Sequence, residues 1–236
     1  MSRSIRYTLI AVVAGVVLFV GGPWVYINLI REDAPESFVD QATATTVATS
    51  DTAAPTTVAA SDTTESSVLS DPSGIWQVSA DSQVGYRVDE VLFGQNVTAV
   101  GRTSAVVGSI EISGSKLIAA KFEVDMTTVT SDEPKRDAQF ASRIMDTLNY
   151  PTSSFVLDSP IALPADATSA SVSHTARGTL TLRGTAKDVE LTVVSSVQDG
   201  RIVVVGEIPV VFSEWGIPNP SIPGITTEDS GVLEFN

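Results

Sequence analysis

The stretch SIEISGSKLIAAKFEVDM, residues 109–126, decides the fold class. Ile110 and Ile112 share one face of an extended segment. Ile118, Ala120, Phe122, Val124 and Met126 share one face of a second, and Lys121, Glu123 and Asp125 take its opposite face. A period of two belongs to a β-strand with one dry and one wet side. The Ser113-Gly114-Ser115 run between the halves supplies a turn, so the stretch predicts a β-hairpin.

Working outward, the same alternation recurs. Val84, Tyr86 and Val88 share a face, and strands are expected at Phe155–Leu157, Val172–Leu182, Val189–Val193, Ile202–Val205 and Ile208–Phe212. In Val172–Leu182 the inward set reads Val172, His174, Ala176, Gly178, Leu180 and Leu182. Small residues among these suit a curved sheet around a space better than a flat sandwich. One segment breaks the period. In PKRDAQFASRIMDTL, residues 134–148, Phe140, Ile144 and Leu148 recur every four residues, and Ala141 and Met145 widen the stripe. Pro134 suits a helix start, Asp132 is placed to cap it, and Tyr150-Pro151 stops it. One short inserted α-helix among about eight or more strands predicts an all-β antiparallel barrel that removes its edges by closure.

The folded domain is expected over 73–236. Before it, residues 31–72 are rich in Thr, Ala, Ser and Pro, and TATTVATSDTAAPTTVAASDTTESS has few large apolar groups. Such a composition does not repay the entropy of ordering, so a disordered tether is expected there. Residues 7–30, YTLIAVVAGVVLFVGGPWVYINLI, carry no charge, which predicts a transmembrane helix. Arg3 and Arg6 precede it and Glu32, Asp33 and Glu36 follow it. That asymmetry places residues 1–6 in the cytoplasm and the domain outside a single-pass cytoplasmic-membrane anchor. The rival reading is a cleaved signal peptide.

Charge and composition narrow the function. Twenty-eight acidic residues against 14 basic ones give a net charge of −14, which repels nucleic acid. The chain has no cysteine, so disulfides, thiolate metal sites and a cysteine nucleophile are excluded. His174 is the only histidine, a poor basis for a metal site. Neither G-x-S-x-G, H-E-x-x-H nor a Walker loop occurs, and no enzyme is expected.

Four blocks carry a family resemblance. They are IWQVSADSQVGYRVDE (75–90), MTTVTSDEPKRDAQFASRIMDTLNYPTSSFVLDSP (126–160), GTLTLRGTAKDVELTV (178–193) and FSEWGI (212–217). Arg136-Asp137, Phe140, Leu148, Tyr150-Pro151 and Phe155 follow the order of the second block's pattern. In these blocks the chain resembles the YceI-like family of periplasmic or secreted isoprenoid-lipid-binding proteins. The resemblance implies an extended, lipocalin-like barrel with an apolar tunnel for the tail of an isoprenoid quinone or polyprenyl lipid, held as ligand with no cofactor. Asp81 and Glu90 stand where relatives commonly carry histidine, and Phe212 where they carry arginine, which implies different headgroup contacts. The expected tunnel lining is Tyr86, Phe122, Phe140, Ile144, Phe155, His174, Ala176 and Phe212. The functional expectation is binding and sequestration or transport of such a lipid at the outer face of the cytoplasmic membrane. The alternative is a cell-envelope interaction module whose barrel is filled by its own side chains.

Overall fold

Short runs of alternating apolar residues, punctuated by glycine-bearing turns, build one antiparallel sheet. In the computed structural model the described residues are Val25, 34–42, 71–164 and 171–236. The strands are β1 (Gly74–Gln77), β2 (Val84–Leu92), β3 (Gln95–Thr103), β4 (Val106–Ser113), β5 (Lys116–Asp125) and β6 (Thr130–Ser131). A helix, α1 (Pro134–Gln139), follows. Then come β7 (Thr152–Leu157), β8 (Ile161–Ala162), β9 (Val172–Leu182), β10 (Thr185–Gln198), β11 (Arg201–Val211), β12 (Ile225–Thr227) and β13 (Ser230–Phe235). The hydrogen-bonded order is β1-β4-β5-β7-β9-β10-β11-β13-β2-β3-β6, with β8 added on β5 and β12 on β2.

The long hairpins are set by two-residue turns. Arg183-Gly184 joins β9 to β10 and Asp199-Gly200 joins β10 to β11, all four residues at positive φ. That conformation matches the right-handed strand twist and is cheapest when glycine takes the second place. The two stretches expected as separate strands over 202–212 are one, β11, with Phe212 opening the tight turn Phe212–Trp215. On the inner face Leu180, Leu182, Leu191, Ile208, Val210 and Trp215 form a buried cluster.

Four expectations are corrected. The closed lipocalin-like barrel is instead an open curled sheet, a half-barrel. Its path starts at the four-residue β1 and ends at the two-residue β6, and among the described residues no ladder joins them. β3 leads almost directly into β4, yet β4 pairs with β1 and β5. β6 pairs with β3 only at Gly101 and Arg102, so the edge on that side is formed largely by β3 itself.

The transmembrane helix, with the single-pass placement at the cytoplasmic membrane and the membrane partnership drawn from it, is also corrected. Among the described residues no helix is long and apolar enough to cross a membrane. Apart from Val25, residues 7–30 lie outside the described residues. Within the stretch read as a tether, residues 34–42 are described. They include a helical turn at 38–42 and a buried Phe38.

The third correction is one of register. Glu111 pairs with Ala119 but Ile112 pairs with Leu117, which leaves Ile118 as an extra residue on β5. The bulge shifts the alternation by one, so Leu117 faces the interior and Ile118 is 40% exposed.

The fourth concerns the helix. The α-helical stretch stops at Gln139, and Phe140–Ile144 continues as a wider, π-type turn in which Met145 N–H reaches back five residues to the Phe140 carbonyl. The extra residue takes Leu148 off the apolar stripe, where it is 91% exposed. The cap is Glu133, whose carboxylate accepts from Lys135 N–H, while Asp132 pairs with Arg136.

Candidate functional site

The curled sheet wraps around a cavity of about 700 Å³. Inward positions of most strands contribute to it, as the period of two requires. Of the expected lining, Tyr86 on β2, Phe122 on β5, Phe155 on β7, Ala176 on β9 and Phe212 after β11 face this space. Phe140 and Ile144 face it from the helical segment. His174 does not. It is buried on β9 beyond the cavity, with Nε2 3.1 Å from the Ser195 hydroxyl of β10, and burial holds its pKa below the ordinary value.

Small residues do not simply leave room; they seat rings from the next strand. Tyr86 pairs with Gly101, and a Cβ on Gly101 would lie 2.4 Å from the tyrosine ring. Phe155 lies over Gly178 in the same way, again at 2.4 Å from an added Cβ. The rings therefore lie flat on the sheet and the centre stays open. Tyr86 also stacks on Phe140, centroids 5.2 Å apart and planes inclined by 13°. Such a pair adds about 0.5–1.5 kcal/mol beyond its burial and ties the helical segment to β2.

Charged groups occur at two places in the lining. At one, Arg136 of α1 sits 3.8 Å from Glu90 of β2 and also pairs with Asp132. Burial pushes the nearby Tyr86 hydroxyl well above its ordinary pKa, against the opposing pull of Arg136, so it is a neutral donor. The neighbouring Asp137 is used structurally, accepting from the Ser131 N–H and hydroxyl at 2.9 and 2.6 Å. At the other place Arg201 and Asp81 pair at 2.6 Å, both largely exposed. Asp81 and Glu90, singled out as departures from the resemblance, thus both border the cavity and each faces an arginine.

The missed lining residues include Arg136, Arg201 and Ser153. Ser153 Oγ is buried and has no hydrogen-bond partner within the protein. For Ser153 a signal was present, because it lies two residues before Phe155 on the same strand face. Among the described residues no group of three or more His, Cys, Asp or Glu is placed to hold a metal. The arrangement offers a long apolar surface with a few polar groups at its margins, the usual make-up of a small-molecule pocket.

Residues 76–236 match the family model of the YceI-like domain. Solved structures that share the fold include the following two. Burkholderia cenocepacia BcnA is 19% identical, with a TM-score of 0.52 over 66% of this chain and 94% of its own. A polyisoprenoid binding domain from Saccharophagus degradans, implicated in plant cell wall breakdown, is 12% identical, with a TM-score of 0.54 over 68% of this chain and 94% of its own. No curated protein matches the chain.

Proposed function

The chain belongs to the YceI-like family, and from that premise we propose that its half-barrel binds a lipid with a long apolar tail, an isoprenoid chain, and holds it away from water. The observation that carries the reading is the cavity of about 700 Å³ faced by Phe122, Phe155, Ala176 and Phe212. Its size lies within the range of about 300–1,000 Å³ typical of ligand pockets. An apolar space of this kind repels water and gains from an apolar guest. Each CH₂ transferred from water contributes about 0.8 kcal/mol. The likeness to the polyisoprenoid binding domain of Saccharophagus degradans favours an isoprenoid chain over a straight acyl chain. The polar end of the lipid would meet Arg136, Glu90 and the neutral Tyr86 hydroxyl. The open cavity also weighs against the filled-barrel interaction module.

The test is occupancy. The purified protein, extracted with organic solvent, is expected to release near-stoichiometric isoprenoid lipid by mass spectrometry. Ala176→Trp is expected to lower that occupancy severalfold while the protein still folds, since the indole enters open space. A wild-type protein that carries no lipid and takes up neither isoprenoid nor acyl chains would overturn the reading.

A further inference from the structure

The outer face of the wall formed by β13, β2 and β3 carries a charged cluster unlike anything expected on a wet sheet surface. Glu234 of β13 and Arg102 of β3 both stand opposite Gly85 of β2, one on each side. Gly85 has no side chain, and the Arg102 stem fills the gap: a Cβ there would lie 2.7 Å from Arg102 Cγ. The guanidinium thereby crosses β2 and donates to Glu234 Oε1 through Nε at 2.9 Å, with Nη2 at 2.8 Å. Arg87 Nη1 lies 3.8 Å from Oε2. Glu234 points outward, yet it is wholly buried, and Oε2 lacks a hydrogen bond.

Residues 34–42 lie over this cluster. Arg87 Nη1 donates to the Pro35 carbonyl at 2.6 Å, and Arg102 Nη2 donates to the Glu36 carbonyl at 2.7 Å. The Arg102 guanidinium sits 4.0 Å from the centre of the Phe38 ring, which is itself buried. The segment is shaped for the contact by its own bonds. Ser37 Oγ accepts from Asp40 N–H at 3.1 Å, and Gln41 N–H reaches the Ser37 carbonyl at 3.1 Å.

We infer that residues 34–42 form a strap that docks in cis on the outer wall of β13, β2 and β3. Two arginines read two successive main-chain carbonyls, and one of them stacks on the aromatic ring three residues after the first carbonyl. The occupant is this chain's own segment, because residues 43–70 between strap and sheet are long enough to reach, at up to about 3.3–3.6 Å each when extended. The socket recognises main chain and one ring, so it tolerates change at Pro35 and Glu36 but not at Phe38. The strap therefore lies on the face of this wall opposite the cavity-lining Tyr86 and Val88. The strap stands independently of the lipid-binding reading, since it lies outside the cavity.

The full-length chain with p-benzoylphenylalanine in place of Phe38 tests the proposal. Irradiation is expected to give a crosslink at monomer mass, joining residue 38 to the β3 peptide that contains Arg102. A crosslink at dimer mass would assign the socket to a second copy, and an absent crosslink would remove the strap; either overturns the proposal. As a second measurement, Phe38→Ser should speed amide exchange at Gln41 by about tenfold or more, a loss of local protection, with the β9–β10 ladder unchanged. Equal exchange at Gln41 in both proteins would overturn it as well.

Discussion

Arg177 on β9 and Glu190 on β10 face each other directly across the sheet, with Nη2 2.5 Å from Oε2. Their side chains are 70% and 56% exposed. Arg102 and Glu234 are the same pair of residue types on the same outer face, at 2.8 Å, but Glu234 has no exposure at all. Distance alone would rank the two alike. The medium separates them. In water the first pair gains little, because both ions are already solvated and salt screens them. The second pair has surrendered water, so each partner depends on the other, and losing one leaves a buried charge unmatched.

The sharpest way to break this contrast is Arg102→Met. It is expected to destabilise the domain by about 3–5 kcal/mol, read as a lower urea midpoint, because Glu234 keeps only the distant Arg87. Adding Glu234→Leu should restore most of that loss, since the penalty lies in the unmatched carboxylate and not in the missing bond. Gly85→Ala should cost about 1–3 kcal/mol, because its Cβ would lie 2.4 Å from the Gly101 carbonyl oxygen and displace the arginine stem. Arg177→Ala should cost less than about 1 kcal/mol, a loss that vanishes in 1 M salt. If Arg102→Met proved as mild as Arg177→Ala, the contrast would fail.

The smallest effect concerns a buried polar group matched to a hydroxyl. His174 has a folded pKa held below its ordinary 6.5 by burial. The unfolded chain therefore takes up this proton first as pH falls, and the stability the group contributes is present above about 6.5 and lost on acidification below it. His174→Gln is expected to flatten the decline in melting temperature between pH 7.5 and 5.5. An unchanged decline would assign the acid sensitivity to other groups.

Alternation made the inner wall legible. Val84, Tyr86, Val88, Ala176, Leu180 and Leu182 all stand where a period of two places them, because each lies on a strand without interruption. The reading failed at single insertions. Ile118 is itself the extra residue of a bulge and Leu148 follows the extra residue of a π-type turn, and neither insertion leaves a compositional mark. His174 alternates in burial with Ala176 and Leu180, but alternation does not say how far along the strand the cavity extends. Phe38 was invisible for another reason. Its seat is made by Arg102 and Glu234, far away in sequence, and nothing near residue 38 announces them.

The open path of the sheet has a mechanical consequence. In a fully closed cylinder any lateral gap must sever a complete ladder of main-chain hydrogen bonds. Here the gap between the two end strands, β6 and β1, crosses no such ladder among the described residues. Widening at that seam would break no strand ladder, although the short link from β3 to β4 and the Asp125 N–H bond to the Ala105 carbonyl still tie its two sides. The long ladders of β9, β10 and β11 lie away from that seam, so a change of girth there leaves their register untouched.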